Sequence, residues 1–157
     1  MTRKLTVFVV LVPVLVLLGA TPDVPAKNGC GNGTLRGSYG IEATGTVLAG
    51  PLAGPIAIVG VLTYDGIEQV SGNLTQRVTT STGPATLAKV PFAGTYLVNP
   101  DCTVEDSLLN LSNGTSSTHE AVIVANGREF VILNTTAGPT VIAGTGRKQF
   151  GPDGDRN

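Results

Sequence analysis

Between residues 34 and 149 the chain reads as short apolar-rich runs separated by turn dipeptides. The turns are Asp65-Gly66, Gly83-Pro84, Asn99-Pro100, Asn113-Gly114, Asn126-Gly127 and Gly138-Pro139. They recur at roughly a dozen residues, a spacing that suits strands and leaves no room for long helices. Eight runs result, at 35–46, 55–64, 69–79, 86–98, 103–112, 118–125, 128–135 and 140–149. In the first, Leu35, Tyr39, Ile41 and Ala43 oppose Arg36, Ser38, Glu42 and Thr44. In the third, Val70, Leu74 and Val78 oppose Ser71, Asn73, Thr75, Arg77 and Thr79. Period-two alternation of this kind marks a strand with one buried face. The second, sixth and seventh runs are apolar on both faces, as in Ile56, Ile58 and Leu62 against Ala57, Val59 and Val61. Val122-Ile123-Val124 and Val131-Ile132-Leu133 repeat that pattern. Such strands call for cover on both sides, by another layer or by a second copy of the chain, so a homo-oligomer is one expected arrangement.

The fold class that follows is all-β: an antiparallel up-and-down β-barrel of about eight strands, with a β-sandwich as the alternative. A barrel of that size is either filled by its own side chains or holds one small ligand. Pro91 and the glycines Gly37, Gly40, Gly60, Gly72 and Gly94 fall inside strands, where they suit bulges and tight coiling. In a meander the turns alternate between two ends. Those at Asp65-Gly66, 99–101 and Asn126-Gly127 share one end and are tight. Parity places Cys30, before the first run, and Cys102, after the fourth, at that same end, where a disulfide would draw the N-terminal segment across the barrel floor. The connections at 45–54, 80–84, 113–117 and 137–139 share the other end, where an open mouth is expected.

The N-terminus carries an address. Met1-Thr2-Arg3-Lys4 is followed by an apolar run at 5–18 and then by small residues, the order of a secretory signal. The run is short for a spanning helix, and Pro13 interrupts it. The expected organisation is a signal peptide at 1–26, a single β-barrel domain at 27–150 and a flexible tail at 151–157. The expected location is secreted or periplasmic, with the membrane met only through the signal segment during export. An oxidising compartment favours a Cys30–Cys102 disulfide.

Composition narrows the partners. The 10 Lys and Arg are scattered and the formal net charge is −1, so no basic face exists for a nucleic-acid backbone. Trp is absent, which removes the residue most used for sugar stacking.

Gly37-Ser38-Tyr39-Gly40, Gly60-Val61-Leu62-Thr63-Tyr64-Asp65-Gly66 and Gly94-Thr95-Tyr96-Leu97-Val98-Asn99-Pro100-Asp101-Cys102 taken together resemble a family of small exported bacterial β proteins, largely uncharacterised. The family pattern has Gly where this chain has Glu68, and Thr-Gly where it continues with Val104. The resemblance implies a fold more than a chemistry. In shape the expected barrel is similar to the calycin and allene oxide cyclase-like barrels, by analogy alone.

No catalytic motif emerges. His119 is the sole histidine. Its neighbour Glu120 points to the opposite face of a strand, so the expectation is a surface or rim histidine. Asp101, Glu105 and Asp106 gather near the tight-turn end, where turn capping is the expected role. Tyr39 and Tyr96 follow Gly-Ser and Gly-Thr, a placement in which a ring lies over a neighbouring glycine. If a ligand enters the lumen, Tyr39, Tyr64, Phe92, Tyr96, Phe130, Ile58, Leu62 and Leu74 are the expected lining. No cofactor and no metal are expected. The function read from the sequence is an exported, non-catalytic barrel module that binds a small apolar ligand in its lumen or self-associates. The alternatives are a cyclase-type barrel enzyme with an apolar cavity and a surface or adhesion protein.

Overall fold

The computed structural model describes residues 29–149. The expected signal segment 1–26 and tail 151–157 lie outside the described residues. Eight strands follow one another: β1 (Arg36–Val47), β2 (Gly54–Asp65), β3 (Gln69–Thr80), β4 (Gly83–Val98), β5 (Thr103–Asn110), β6 (Ser116–Val124), β7 (Glu129–Asn134) and β8 (Thr140–Lys148). Each pairs antiparallel with the next, and β8 returns to β1 from Tyr39↔Lys148 to Val47↔Thr140, so the sheet closes into a barrel. The barrel is up-and-down and antiparallel throughout, and the sandwich alternative is excluded. The strand bounds fall within a few residues of the eight runs because turn chemistry sets them. At the β2–β3 turn Asp65 Oδ1 accepts from the amides of Ile67, Glu68 and Gln69 at 2.7, 2.9 and 3.0 Å, with Gly66 at φ 85°. The Ile67 amide leads in holding this carboxyl below its ordinary range.

Alternation decides what faces inward. Tyr39, Ile41 and Ala43 of β1 are buried while Arg36, Glu42 and Thr44 are exposed, and the other strands alternate likewise except across the exposed stretch 86–89 of β4. Inward glycines permit the coiling. A Cβ on Gly60 or Gly72 would collide with backbone of the facing strand, β3 or β2 respectively. Between β3 and β4 the register slips at Leu74/Gln76, with Lys89 at φ 51° and its amide on Thr75 Oγ1, a bulge beside Pro91.

The rows apolar on both faces meet no second layer among the described residues. Val59, Val122, Val131 and Leu133 stay about half exposed on the outer wall. The expectation that both faces are covered is therefore corrected for the chain by itself: a closed single-layer barrel buries only its inner face.

The tight-turn end is sealed. Cys30 and Cys102 form a disulfide. Beyond it a 3-10 turn, Asn32–Thr34, lies across the barrel floor. Asn32 Oδ1 accepts from the Val98 amide at 2.7 Å, its Nδ2 donates to the Ile67 carbonyl, and the Tyr96 hydroxyl donates to the carbonyls of Asn32 and Leu35 at 3.1 Å each. Leu35 is buried beneath this strap.

Above the floor sits an aromatic plug. The Tyr64 ring meets Tyr96, Tyr39 and Phe130 with centroids 5.0, 5.5 and 5.8 Å away, near edge-on in each case. That geometry matches positive ring edges to negative faces. Tyr39 donates its hydroxyl to the Gly127 carbonyl at 2.6 Å. Phe130 packs over its register partner Gly146, where a Cβ would strike the ring.

Burial raises the pKa of all three tyrosines of the chain, Tyr64 furthest. Unfolded tyrosines lose their protons above about pH 10, whereas the folded ones keep theirs, so above that range the native state binds more protons than the unfolded state. This contribution to stability is complete below the ordinary tyrosine range and is lost as pH rises towards the folded values. An alkaline titration followed by tyrosinate absorbance is expected to stay silent through the ordinary range. Signal should then appear together with loss of the β-sheet circular dichroism. A tyrosine that ionises near its ordinary pKa in an intact barrel would contradict the packed plug.

Candidate functional site

The opposite end is open. The connections 48–53, 81–82, 111–115 and 135–139 all gather there, as strand parity requires. Between them lies a cavity of about 410 Å³. Its inner walls carry Ile56, Ile58, Leu74, Phe92, Leu108 and Ile142, and its polar lining includes Gln76, Asn110, Ser117, His119 and Asn134. The mouth expected from turn lengths is where the cavity opens.

Three polar side chains stand abreast on the inner wall. Register pairs Asp106 of β5 with His119 of β6, and His119 with Asn134 of β7. His119 Nδ1 lies 2.6 Å from Asp106 Oδ1, with side-chain exposures of 14% and 2%. An ionised carboxylate only accepts, so beside it Nδ1 is the donor of this bond and the ring orientation is fixed. Asn134 Nδ2 reaches Thr136 Oγ1 at 3.4 Å, while its Oδ1 is buried with no partner. A buried polar atom without a hydrogen bond is costly.

Of the surface or rim position expected for His119, the surface half is corrected: the side chain points inward and lines the cavity. Asp106 caps no turn. Asp101 does cap one, accepting from the Thr103 hydroxyl at 2.7 Å and amide at 3.1 Å, and the hydroxyl leads in lowering its pKa. The signal that places Asp106 and His119 together was parity. Asp106 falls on the same face as Val104 and Leu108, and His119 on the same face as Ala121 and Ile123. The partner that matters to His119 is Asp106 on the adjacent strand, not its chain neighbour Glu120.

The eight residues expected to line a lumen separate by height. Ile58, Leu74 and Phe92 line the cavity. Tyr39, Tyr64, Tyr96, Phe130 and Leu62 belong to the buried core, the four rings packed against one another in the plug.

Chemically the row orients the imidazole, with Nδ1 on Asp106, and leaves Asn134 Oδ1 buried and unpartnered. Among the described residues no serine, threonine or cysteine side chain hydrogen-bonds His119. Nor do three or more His, Cys, Asp or Glu side chains converge as metal ligands among those residues. The disulfide fits a non-reducing environment. No helix among the described residues is long and apolar enough to cross a membrane.

No protein-family model matches the chain, and no curated protein matches it. Among solved structures it is similar to a redesigned β barrel, mFAP1, bound to DFHBI, at 16% identity and a TM-score of 0.49. That match covers 74% of this chain and 97% of the other. A second redesigned β barrel is similar at 14% identity and a TM-score of 0.49, covering 75% of this chain and 94% of that one. The barrel assignment rests on the strand pairing itself.

Proposed function

We propose that this protein is an exported binding module that takes a small, largely apolar molecule into the open end of its barrel. The observation that carries this reading is the cavity of about 410 Å³, walled by aliphatic side chains and Phe92 and open at the loop end. Pockets of this kind bury most of a small ligand against apolar walls, and a few polar groups orient it. The disulfide and the signal-like N-terminal pattern support export.

The test uses the neutral naphthalene dye prodan, whose emission shifts in apolar surroundings. Ile58→Trp fills the lumen from mid-strand. Val59→Trp makes the same change on the exposed outer face of β2. We expect the native protein and Val59→Trp to bind the dye with the same affinity, and Ile58→Trp to lose it. Equal binding by both variants would place the dye on the outer wall and sink the proposal. No binding by the native protein would sink it as well.

The oriented His119 ring is the observation that favours the cyclase-type alternative. Incubation of a bound compound that returns it altered in mass or connectivity only when His119 is present would move the reading to an enzyme. Return of every bound compound unchanged would count against that alternative.

A further inference from the structure

We infer that the open end of the barrel docks onto a lipid bilayer, with the mouth of the cavity turned toward the membrane. The inference goes beyond the lumenal reading and rests on the rim around the mouth. Four leucines there are exposed, between 39% and 63%. Leu48 and Leu52 lie in the connection from β1 to β2, and Leu111 opens the connection from β5 to β6. Leu87 stands on the part of β4 that runs past its last pairing with β5, Phe92↔Asn110. Leu52 and Leu87 also line the cavity, so the exposed apolar rim is continuous with the apolar lumen.

The same end is free of charge. No Asp, Glu, Lys or Arg occurs in 43–58, 78–88, 107–118 or 130–146, the stretches that make its four connections and the strand ends leading to them. The tight-turn end is the reverse, with Asp65, Glu68, Asp101, Arg128 and Glu129 at or beside its turns, and there the exposed Ile67 is flanked by Asp65 and Glu68. Taking a charge out of water is costly, and the open end has none to take. Polar groups of its connections bond one another. Asn113 Oδ1 accepts from the Thr115 amide and hydroxyl at 3.0 and 2.8 Å, and the Thr80 hydroxyl donates to the Gly83 carbonyl at 2.7 Å. The charged residues closest to Leu87 in register and sequence, Arg77 and Lys89, are both cations, the sign that suits lipid phosphate.

The form of the rim favours lipid over a second copy of the chain. The leucines come from three separate places. At Gly50, Gly83, Gly114 and Gly138, one glycine at each connection, an added Cβ would meet no neighbouring atom within 4 Å, so the tips stand apart. A stable protein interface needs about 800 Å² of closely packed surface on each partner. A fluid lipid surface fills the space between separate tips. Contact with a membrane would then outlast export, to which the N-terminal pattern alone confines it.

The test uses the mature protein, without the expected signal segment 1–26, and phosphatidylcholine vesicles. The chain has no Trp, so Leu48→Trp and Ile67→Trp each place a single reporter, one on the rim and one at the opposite end. We expect vesicles to shift Leu48→Trp emission to shorter wavelength, and brominated acyl chains to quench it, with neither effect on Ile67→Trp. Co-sedimentation supplies a second measure. Leu48→Glu combined with Leu111→Glu should weaken partitioning by about tenfold or more. Val59→Glu combined with Val122→Glu, on the exposed outer wall, should leave it unchanged. If the rim glutamates prevent folding, the two Trp reporters still decide.

Absence of vesicle binding, quenching of Ile67→Trp, or equal loss in the rim and outer-wall variants would overturn the inference. Binding to anionic vesicles alone would overturn it too, since charge and not the rim would be the cause. So would a dimer that the rim glutamates dissociate and vesicles leave intact, which would give the rim to a second copy. Prodan binding without vesicle binding would remove the docking and keep the lumenal reading. Vesicle binding without prodan binding would do the opposite.

Discussion

Replacing Cys30 and Cys102 by serine is expected to lower the free energy of unfolding by roughly 4 kcal/mol, and to leave lumenal affinity unchanged. The bond joins positions 72 residues apart, so in the chain-entropy model it restricts a long loop of the unfolded chain. It also holds the strap in place. Cys30 donates its amide to the Pro100 carbonyl at 3.2 Å, and the contacts of Asn32 with Ile67, Val98 and Tyr96 follow directly along the chain. Once the covalent tie is cut, these bonds must hold an N-terminal segment that is otherwise free to fray. The cavity lies at the other end, beyond the plug, which is why binding per folded molecule should survive. Denaturant titration of native and doubly substituted protein measures the first quantity, and calorimetry the second. A loss below about 1 kcal/mol would mean that the strand ladder closes the barrel without its floor. A loss of affinity equal to the loss of stability would mean that floor and mouth are one cooperative unit.

Much of this architecture was legible in the chain because two simple rules act at once. Side-chain direction in a strand has period two, so the burial of Tyr39, Ile41 and Ala43 against the exposure of Glu42 and Thr44 could be read residue by residue. Turn direction in a meander also alternates, so the end on which Cys30, Cys102 and the long connections lie followed from counting strands. Height along the barrel axis was the part left unread. Tyr64 is next to last in β2, Phe130 second in β7, and Tyr96 two from the end of β4, which sets all three beside the tight-turn end. Treating every inward ring as lumen lining ignored that position. Asp106 and His119 were missed for a different reason. Both are polar residues on apolar faces, and each makes sense only with its partner from the adjacent strand. Cross-strand partners depend on register, which the hydrophobic pattern constrains only once the turn is known.

The plug supplies the second large effect. Tyr64→Ala is expected to cost about 3–5 kcal/mol, as for the loss of other large buried rings, because the rigid wall around it relaxes only in part. Three edge-on ring contacts vanish at once, with Tyr39, Tyr96 and Phe130 left to line the void. Tyr64→Phe preserves the volume and should cost much less, under about 1.5 kcal/mol. The contrast between the two separates packing from the hydroxyl. A void lined by rings stays dry and accepts a small apolar guest. Benzene should therefore raise the midpoint of Tyr64→Ala unfolding in proportion to its occupancy and leave Tyr64→Phe unaffected. If benzene stabilises neither variant, the rings have collapsed into the gap, and the plug is a deformable filling instead of a fixed stop. If it stabilises Tyr64→Ala alone, the wall around Tyr64 is rigid. In the native barrel the plug is then a fixed block of packed rings at the tight-turn end.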